Sequence, residues 1–160
     1  MASTPVYQKL VRLSLPKLRV QAQLGNATAQ VVLGKRYHYG RGVRKDFVEA
    51  VRWFLKAARK GNAAAQASLG TCYSDGTGVR KNLREAARWF KKAAECGNAP
   101  AQFNVGLYYD KGLGVKQNKQ VAARWYQRAA RQGDAEAQDS LGVCYADGTG
   151  VRANQRTAVT

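Results

Sequence analysis

Residues 61–96 read GNAAAQASLGTCYSDGTGVRKNLREAARWFKKAAEC, and the pattern of this segment recurs along the chain. Its opening Gly-Asn-Ala is found again at Gly25 and Gly97 and returns as Gly-Asp-Ala at Gly133, so each start lies 36 residues after the previous one. Other columns keep the same register: Gln30, Gln66, Gln102 and Gln138; Gly34, Gly70, Gly106 and Gly142; Tyr37, Tyr73, Tyr109 and Tyr145; and Trp53, Trp89 and Trp125. So many matching columns at one period, without an insertion, indicate a repeat architecture.

Each repeat is predicted to form two helices. In the first repeat, Asn26 and Asp46 can each accept hydrogen bonds at a helix start, and the Gly-x-Gly-Val turn at Gly40 ends the first helix. A glycine in the middle of that helix, such as Gly34, costs about 1 kcal/mol relative to alanine, so its recurrence predicts a neighbouring helix packed too close for a side chain. The apolar face of the second helix consists of Ala50, Trp53, Phe54, Ala57 and Ala58. Two helices of this size cannot bury such a face alone, so the repeats are predicted to stack into an α-solenoid.

The consensus of these repeats is Ala-x-Ala-x-x-x-Leu-Gly-x-x-Tyr, then Gly-x-Gly-Val, then Ala-x-x-Trp-Phe-x-x-Ala-Ala-x-x-Gly. Over residues 25–158 it resembles the Sel1-like repeat, a relative of the tetratricopeptide repeat. The resemblance implies an all-α, right-handed α-solenoid (a superhelix) of helix-turn-helix repeats with the 36-residue period. It also implies a role as an adaptor or scaffold in protein assemblies, often bacterial. The predicted domains are an N-terminal helical cap at 1–24, repeats at 25–60, 61–96 and 97–132, and an incomplete repeat at 133–160.

The two ends of the chain depart from the repeat pattern. Residues 15–25 keep the register of a second helix but lack its tryptophan, as expected of a capping helix. At the other end the chain stops six residues after Asn154, and a helix that short is marginal. We therefore expect the first helix of the fourth repeat to keep an uncovered face. That face would mediate homodimerisation or bind a partner, or its exposure would mean that the chain is a truncated part of a longer array.

Composition excludes several classes of protein. Hydrophobic residues make up 45% and charged residues 23% of the chain, which excludes wholesale disorder. No apolar stretch approaches the roughly 20 residues of a membrane-spanning helix, and the N-terminus lacks the continuous apolar core of a secretory signal. We expect a cytoplasmic protein without membrane insertion, while export by a route that leaves no N-terminal signal stays open. The three cysteines, Cys72, Cys96 and Cys144, are expected to be reduced, structural thiols.

The sequence contains no visible catalytic or metal-binding constellation. His38 is the only histidine, so neither a zinc site nor a Ser-His-Asp or Cys-His arrangement is supported. The turns GRGVRK at Gly40 and GTGVRK at Gly76 lack the spacing of a phosphate-binding loop, and a turn of this kind closes each repeat. The tryptophans lie on the apolar helical face and are predicted to be core. We therefore expect a non-enzymatic protein without cofactor or metal. An enzyme is the least favoured alternative, and it is kept because hydrolase activities have been proposed for some Sel1-like proteins.

The charge is strongly positive and unevenly distributed. The chain has 27 Lys and Arg against 10 Asp and Glu, a net charge of +17. The first-helix windows 25–40, 61–76, 97–112 and 133–148 sum to −3, and the rest of the chain to +20. Six basic side chains form what we call the basic ladder of the second helices: Arg52, Lys56, Arg88, Lys92, Arg124 and Arg128. A solvated surface is the simpler interpretation, and binding of a polyanion, either nucleic acid or an acidic protein surface, is the alternative function.

The first helices are predicted to line the concave surface, with which repeat proteins usually bind. Some of their columns differ from repeat to repeat, and these supply the predicted partner-binding residues: Val31, Lys35, His38, Phe103, Leu107, Tyr108, Asp110 and Asp139. Phe103, Leu107 and Tyr108 would form an apolar centre, with acidic character towards the C-terminus. The alternative is that these side chains pack between repeats. The favoured function is a protein–protein interaction scaffold that binds a protein partner through this surface.

Overall fold

The computed structural model describes residues 5–148, which form nine α-helices and no β-strand and so confirm the all-α prediction. They divide into two compact units, one ending at Lys81 and the other beginning at Asn82. The first contains α1 (Pro5–Arg12), α2 (Leu15–Gln23), α3 (Ala27–Tyr39), α4 (Phe47–Arg59) and α5 (Ala63–Asp75). The second contains α6 (Leu83–Glu95), α7 (Ala99–Lys111), α8 (Lys119–Ala130) and α9 (Ala135–Asp147). The segment that follows Asn154, on which the homodimer hypothesis rests, lies outside the described residues.

The predicted capping residues begin the helices. The Asn26 side chain accepts a hydrogen bond from the Ala29 N–H at 3.0 Å, and Asp46 accepts one from the Glu49 N–H at 2.9 Å. The same bond is made at the start of every later described helix, by Asn62, Asn82, Asn98, Asn118 and Asp134. A cap of this kind stabilises a helix by about 1 kcal/mol. The boundaries of the helices are therefore set by local sequence, which is why they could be predicted.

In the first unit, α3 packs against α1, α2 and α4, and α4 packs against α5. Leu18, Leu33 and Leu69 are completely buried. Trp53 joins the cluster around Leu18 and Leu33 with only 8% of its surface exposed, which confirms its predicted place in the core. The helix α1 reaches the same cluster through Leu10. The N-terminal region therefore contributes a second helix, besides the capping helix α2, to the core of this unit.

In the second unit, α7 lies between α6 and α8, and α8 also packs against α9. The rings of Phe90 and Tyr108 meet edge to face at a centroid distance of 5.4 Å. Trp125 is 9% exposed, whereas Trp89 is only half-buried, so the tryptophan column is core at two of its three positions. Aromatic side chains thus contribute, with many buried alanines, to the apolar contact between the helices of this unit.

Two of the four mid-helix glycines, Gly34 and Gly106, are confirmed as places of close helix approach. A Cβ atom added to Gly34 would lie 2.6 Å from a ring carbon of Phe54 and 3.2 Å from the carbonyl oxygen of Ala50. In the second unit, a Cβ atom on Gly106 would lie 2.6 Å from the ring of Tyr126. Carbon atoms pack at roughly 3.5–4.0 Å, so neither site has room for a methyl group.

The glutamine column has a structural role that the sequence did not reveal. The Gln66 amide donates a hydrogen bond to the carbonyl of Ala58, eight residues earlier, at 3.3 Å. The same bond joins Gln30 to Ala22, Gln102 to Ala94 and Gln138 to Ala130. Gln30, Gln66 and Gln102 are at most 6% exposed, and a buried amide without a partner would be costly. Each bond ties a first helix to the end of the second helix before it.

Candidate functional site

The first unit contains three of the predicted partner-binding residues, all on α3. Val31 is only 2% exposed, so its side chain belongs to the core and is not available to a partner in this conformation. Lys35 is half-buried because α1 lies beside it: its ammonium nitrogen is 3.5 Å from the Tyr7 hydroxyl and 5.5 Å from the centre of that ring. The N-terminal region therefore covers part of the α3 surface.

His38, the third of these residues, packs against aromatic neighbours. Its ring centre lies 4.7 Å from that of Tyr39 and 5.2 Å from that of Phe47. Burial and then the positive charge of Lys45 lower the pKa of His38 below its usual range, against a smaller opposing effect of Asp75. His38 is consequently neutral at neutral pH and adds no charge to this surface.

The second unit places the predicted apolar centre on α7. Tyr108 is 4% exposed and its ring contacts that of Phe90, so it packs between helices, as the alternative interpretation held. Phe103 and Leu107 are half-buried and lie one helical turn apart on the same face of α7. The Phe103 ring centre is 5.7 Å from that of Tyr126. Phe103 and Leu107 therefore keep part of their apolar surface accessible while they contribute to the fold.

The acidic residues differ in their availability. Asp110 is engaged within the chain: its carboxylate accepts a hydrogen bond from Lys119 at 2.6 Å and lies 3.3 Å from the Lys111 nitrogen. Burial would raise the pKa of Asp110, but the hydrogen bonds from Lys119 and Lys111 outweigh it and hold that pKa below its usual range. Asp139, by contrast, is exposed on α9.

Asp139 is part of an exposed stripe that the variation between repeats does not by itself reveal. Glu136, Asp139 and Val143 lie at positions i, i+3 and i+7 of α9, on one side of the helix, and all three are exposed. Val143 has 58% of its surface accessible. We call these three residues the α9 stripe. Carboxylates beside an exposed apolar side chain suit contact with a protein surface.

The basic ladder is stacked on the tryptophans of the same helices. The ammonium nitrogens of Lys56 and Lys92 lie 4.2 Å and 4.6 Å from the ring centres of Trp53 and Trp89, and the Arg128 guanidinium lies 4.5 Å from that of Trp125. Such contacts stabilise by about 0.5–1 kcal/mol at exposed sites. These three cations therefore cover tryptophan rings as well as facing solvent.

The arginines of the basic ladder have acidic neighbours in two of three repeats. Arg52 pairs with Glu49 at 3.2 Å and Arg88 with Glu85 at 2.7 Å. The residue at the matching position before Arg124 is Val121, which leaves that arginine without this partner. Both paired arginines stay largely exposed, at 70% and 67% of the side chain, so the pairs are screened and reduce the surface charge only locally.

The described part of the chain contains no candidate metal site, membrane span or disulfide. Within residues 5–148, no three metal-ligating side chains of His, Cys, Asp or Glu come close enough to hold one ion. The helices in this range are also too short and too polar to cross a bilayer. Cys72, Cys96 and Cys144 form no disulfide bond; Cys72 and Cys144 are buried and Cys96 is exposed.

We expect the thiols to differ sharply in reactivity. Burial, and to a lesser degree the Asp75 carboxylate, raises the pKa of Cys72 to about 11, so little nucleophilic thiolate is present near neutral pH. Alkylation of the native protein by iodoacetamide at pH 8, followed by peptide mass spectrometry, should label Cys72 at least about a hundredfold more slowly than Cys96. All three should react alike in urea. Equal labelling of Cys72 and Cys96 in the native protein would contradict this assignment.

Comparison with known proteins places this fold among related sequences. The Sel1 repeat model matches residues 27–62, 63–98, 99–134 and 135–160. The crystal structure of c5321, described as a protective antigen of uropathogenic Escherichia coli with an SLR fold, is 39% identical with a TM-score of 0.89, over 92% of this chain and 32% of that one. A Sel1 repeat protein from Oxalobacter formigenes is also 39% identical, with a TM-score of 0.82, over 89% of this chain and 57% of that one.

Two further matches are more distant or shorter. Cysteine rich protein B of Helicobacter pylori shares the fold, with a TM-score of 0.62 at 22% identity over 84% of this chain and 96% of that one. The component HRD3A of an ERAD-associated E3 ubiquitin-protein ligase from Arabidopsis thaliana is 50% identical over 44 residues, which are 27% of this chain and 6% of HRD3A. The chain thus spans only part of several of its relatives.

Proposed function

The chain belongs to the Sel1 repeat family, as its motifs predicted, and from this premise we propose that it is a non-enzymatic scaffold that binds a protein partner through the exposed face of its first helices. Its fold class is that of the SLR solenoid proteins, and proteins of this family are in general scaffolds for protein interactions. The partner is a protein that presents apolar and basic side chains to Phe103, Leu107 and the α9 stripe.

The strongest support for this proposal is that recurring and varying columns of the repeat differ in what their side chains do. The columns that recur in every repeat are used inside the fold: asparagines cap helices, glutamines bind the preceding helix, and glycines permit close packing. In the second unit, several columns that differ between repeats remain accessible, among them Phe103, Leu107 and Asp139. Residues that differ between repeats and keep part of their surface accessible are the ones that can determine a partner.

Of the residues predicted from sequence, Phe103, Leu107 and Asp139 in the second unit remain the basis of the proposed surface, and Lys35 in the first unit stays a separate predicted contact. Val31 and Tyr108 are buried, His38 is packed among aromatic rings, and Asp110 is engaged by two lysines. These four contribute by shaping the helices rather than by direct contact. Val143 and Glu136 join the surface because they share the exposed side of α9 with Asp139.

The test is a pull-down from nuclease-treated lysate of the source cell, read by mass spectrometry. We expect Asp139→Lys/Val143→Asp to lose at least about 90% of a specific protein that the wild type retains, because each change reverses the character of an exposed contact. Phe103→Ala/Leu107→Ala should lose the same protein. The matched control is Val48→Asp, an exposed valine of the second helix α4, which should retain it. Equal recovery by all variants would refute the proposed surface.

The second candidate function is polyanion binding by the basic ladder, favoured by the large exposed fractions of Arg52 and Arg88. Omitting the nuclease from the same experiment distinguishes the two. A nucleic-acid fraction that is unaffected by Asp139→Lys/Val143→Asp, lost in Arg52→Glu/Arg88→Glu, and released steeply by salt would support the ladder. Without such a fraction the ladder serves solubility and covers the tryptophans.

A further inference from the structure

A second surface, which includes none of the first-helix residues named above, is a cleft between α1 and α2. Its volume is about 520 Å³, within the range of roughly 300–1,000 Å³ that binding pockets occupy. Of its apolar lining residues, we call the buried Leu10 and the half-buried Leu13 its floor, and the exposed Val6 and Val20 its walls. The exposed side chains of Lys9 and Lys17 also line it. We call it the N-terminal cleft.

The walls of the N-terminal cleft are unusually exposed for apolar side chains. Val6 and Val20 have 58% and 51% of their surface accessible. Four of the seven large apolar side chains that are exposed between residues 5 and 148 lie in this region: Val6, Val11, Val20 and Leu24. Single exposed valines need no explanation, but a cluster around a cleft is typical of an interaction site.

The charge around the cleft indicates the character of its ligand. Residues 1–45 contain nine Lys and Arg and no Asp or Glu, so Asp46 is the first acidic residue of the chain. No carboxylate of this region can therefore neutralise Lys9 or Lys17 locally. A complementary ligand combines apolar side chains that fit between Val6 and Val20 with carboxylates that meet these two lysines.

We propose that the N-terminal cleft binds an acidic, amphipathic helical segment of a partner protein. The segment inserts its apolar side chains between α1 and α2 and places Asp or Glu side chains beside Lys9 and Lys17. Recognition of this kind, by a hydrophobic groove with a charged rim, is a general mode of helix binding.

Two other occupants fit the geometry less well. A flat anionic membrane would meet the exposed Val6 and Val20 but could not reach Leu10, which is buried, or Tyr7, which packs against the core of the first unit. A second copy of the same cleft would bring Lys9 and Lys17 against identical charges, which is repulsive. A concave, basic and apolar cleft favours protruding side chains on an acidic segment.

The experiment uses the full chain and a synthetic helix-forming peptide of about 18 residues with leucine at i, i+3, i+4 and i+7 spacing and glutamate elsewhere, followed by fluorescence anisotropy. Two matched peptides carry lysine in place of glutamate, or serine in place of leucine. We expect the Leu/Glu peptide to bind at least about tenfold more tightly than either.

Two variants test whether the peptide occupies the cleft. Val20→Asp and Lys17→Glu should each weaken binding of the Leu/Glu peptide by about tenfold or more. Both side chains are exposed, so the fold should be preserved, which circular dichroism verifies. The matched controls, Val48→Asp and Lys116→Glu, change an exposed valine and an exposed lysine outside the cleft and should bind like the wild type.

Several results would overturn the proposal. Failure of the Leu/Glu peptide to bind the wild type, or unchanged binding by Val20→Asp and Lys17→Glu, would exclude the cleft. Equal binding of the Leu/Glu and Ser/Glu peptides would show that charge alone accounts for the binding and that the apolar cleft is not used. Sedimentation with phosphatidylserine vesicles that is lost in Val20→Asp, without peptide binding, would identify a membrane instead. A concentration-dependent dimer in light scattering that Val20→Asp abolishes would identify a second copy.

Discussion

Gly78→Ala is expected to lower the free energy of unfolding of the first unit by about 3 kcal/mol, whereas Gly42→Ala should lower it by only about 1 kcal/mol. Each is the second glycine of its Gly-x-Gly-Val turn, with φ values of 72° at Gly78 and 71° at Gly42. Alanine therefore meets the same backbone strain of the left-handed conformation at both positions. At Gly78, however, a Cβ atom would overlap the carbonyl group of Phe47. At Gly42 nothing lies within 4 Å.

The pair is therefore a matched measurement of one contact between a turn and the start of α4. Urea unfolding followed by circular dichroism, with the same slope for both variants, gives the two free energies. Because the local backbone conformation is nearly identical, the difference of about 2 kcal/mol reports the overlap with Phe47 alone. If both substitutions have equal effects, the turn at Gly78 does not press against α4 as the structure describes.

The second large effect is expected at Phe54, which is 2% exposed and lies over Gly34. Phe54→Ala should cost about 3–5 kcal/mol, as removal of a buried phenylalanine usually does. Gly34→Ala should cost about 1–3 kcal/mol, because its methyl group would press on the Phe54 ring, although alanine favours the helix by about 1 kcal/mol.

The double variant distinguishes contact from coincidence. Without the Phe54 ring there is room for the methyl group at position 34, so the double variant should be more stable than the sum of the single effects predicts, by about 1–2 kcal/mol. Gly34→Ala combined with Val48→Ala, an exposed side chain, should show simple additivity. Additivity in the Gly34 and Phe54 pair as well would mean that the two residues do not contact each other.

These two predictions show which parts of the fold were available from the sequence. The mid-helix column at Gly34 predicted a close approach, and the structure identifies its partner as the Phe54 ring. The capping column, with Asn62 as an example, predicted the helix starts. Both properties depend on local conformation or on one neighbouring helix, which the repeat pattern itself contains.

Burial of the candidate site was harder to predict because it depends on more than one repeat. The column that begins with Val31 continues through Ala67 and Phe103 to Asp139, and along it the side chains change from buried to half-buried to exposed. Variation between repeats therefore does not by itself indicate exposure. The position of α1 was not predicted either, since it follows no column of the repeat. Its contacts with Lys35 alter the surface of α3.

The stacking of the basic ladder could have been found from the sequence. Each of Lys56, Lys92 and Arg128 follows a tryptophan by three residues, a spacing at which side chains meet on a helix. Part of the basic ladder, whose positive charge recurs from repeat to repeat, therefore covers an aromatic surface.

The glutamine bonds bear on how such arrays can be cut and joined. Gln66 on α5 binds the carbonyl of Ala58 on α4, and Gln102 on α7 binds that of Ala94 on α6. These bonds therefore join each second helix to the first helix that follows it. The pair of helices so joined is half a period out of phase with the repeat seen in the sequence. The division between Lys81 and Asn82 has the same phase. An engineer who grafts or splits this chain at a Gly-Asn-Ala junction would remove one of these bonds, whereas a cut at a Gly-x-Gly-Val turn would keep them but break the connection between helices such as α3 and α4, which pack closely at Gly34.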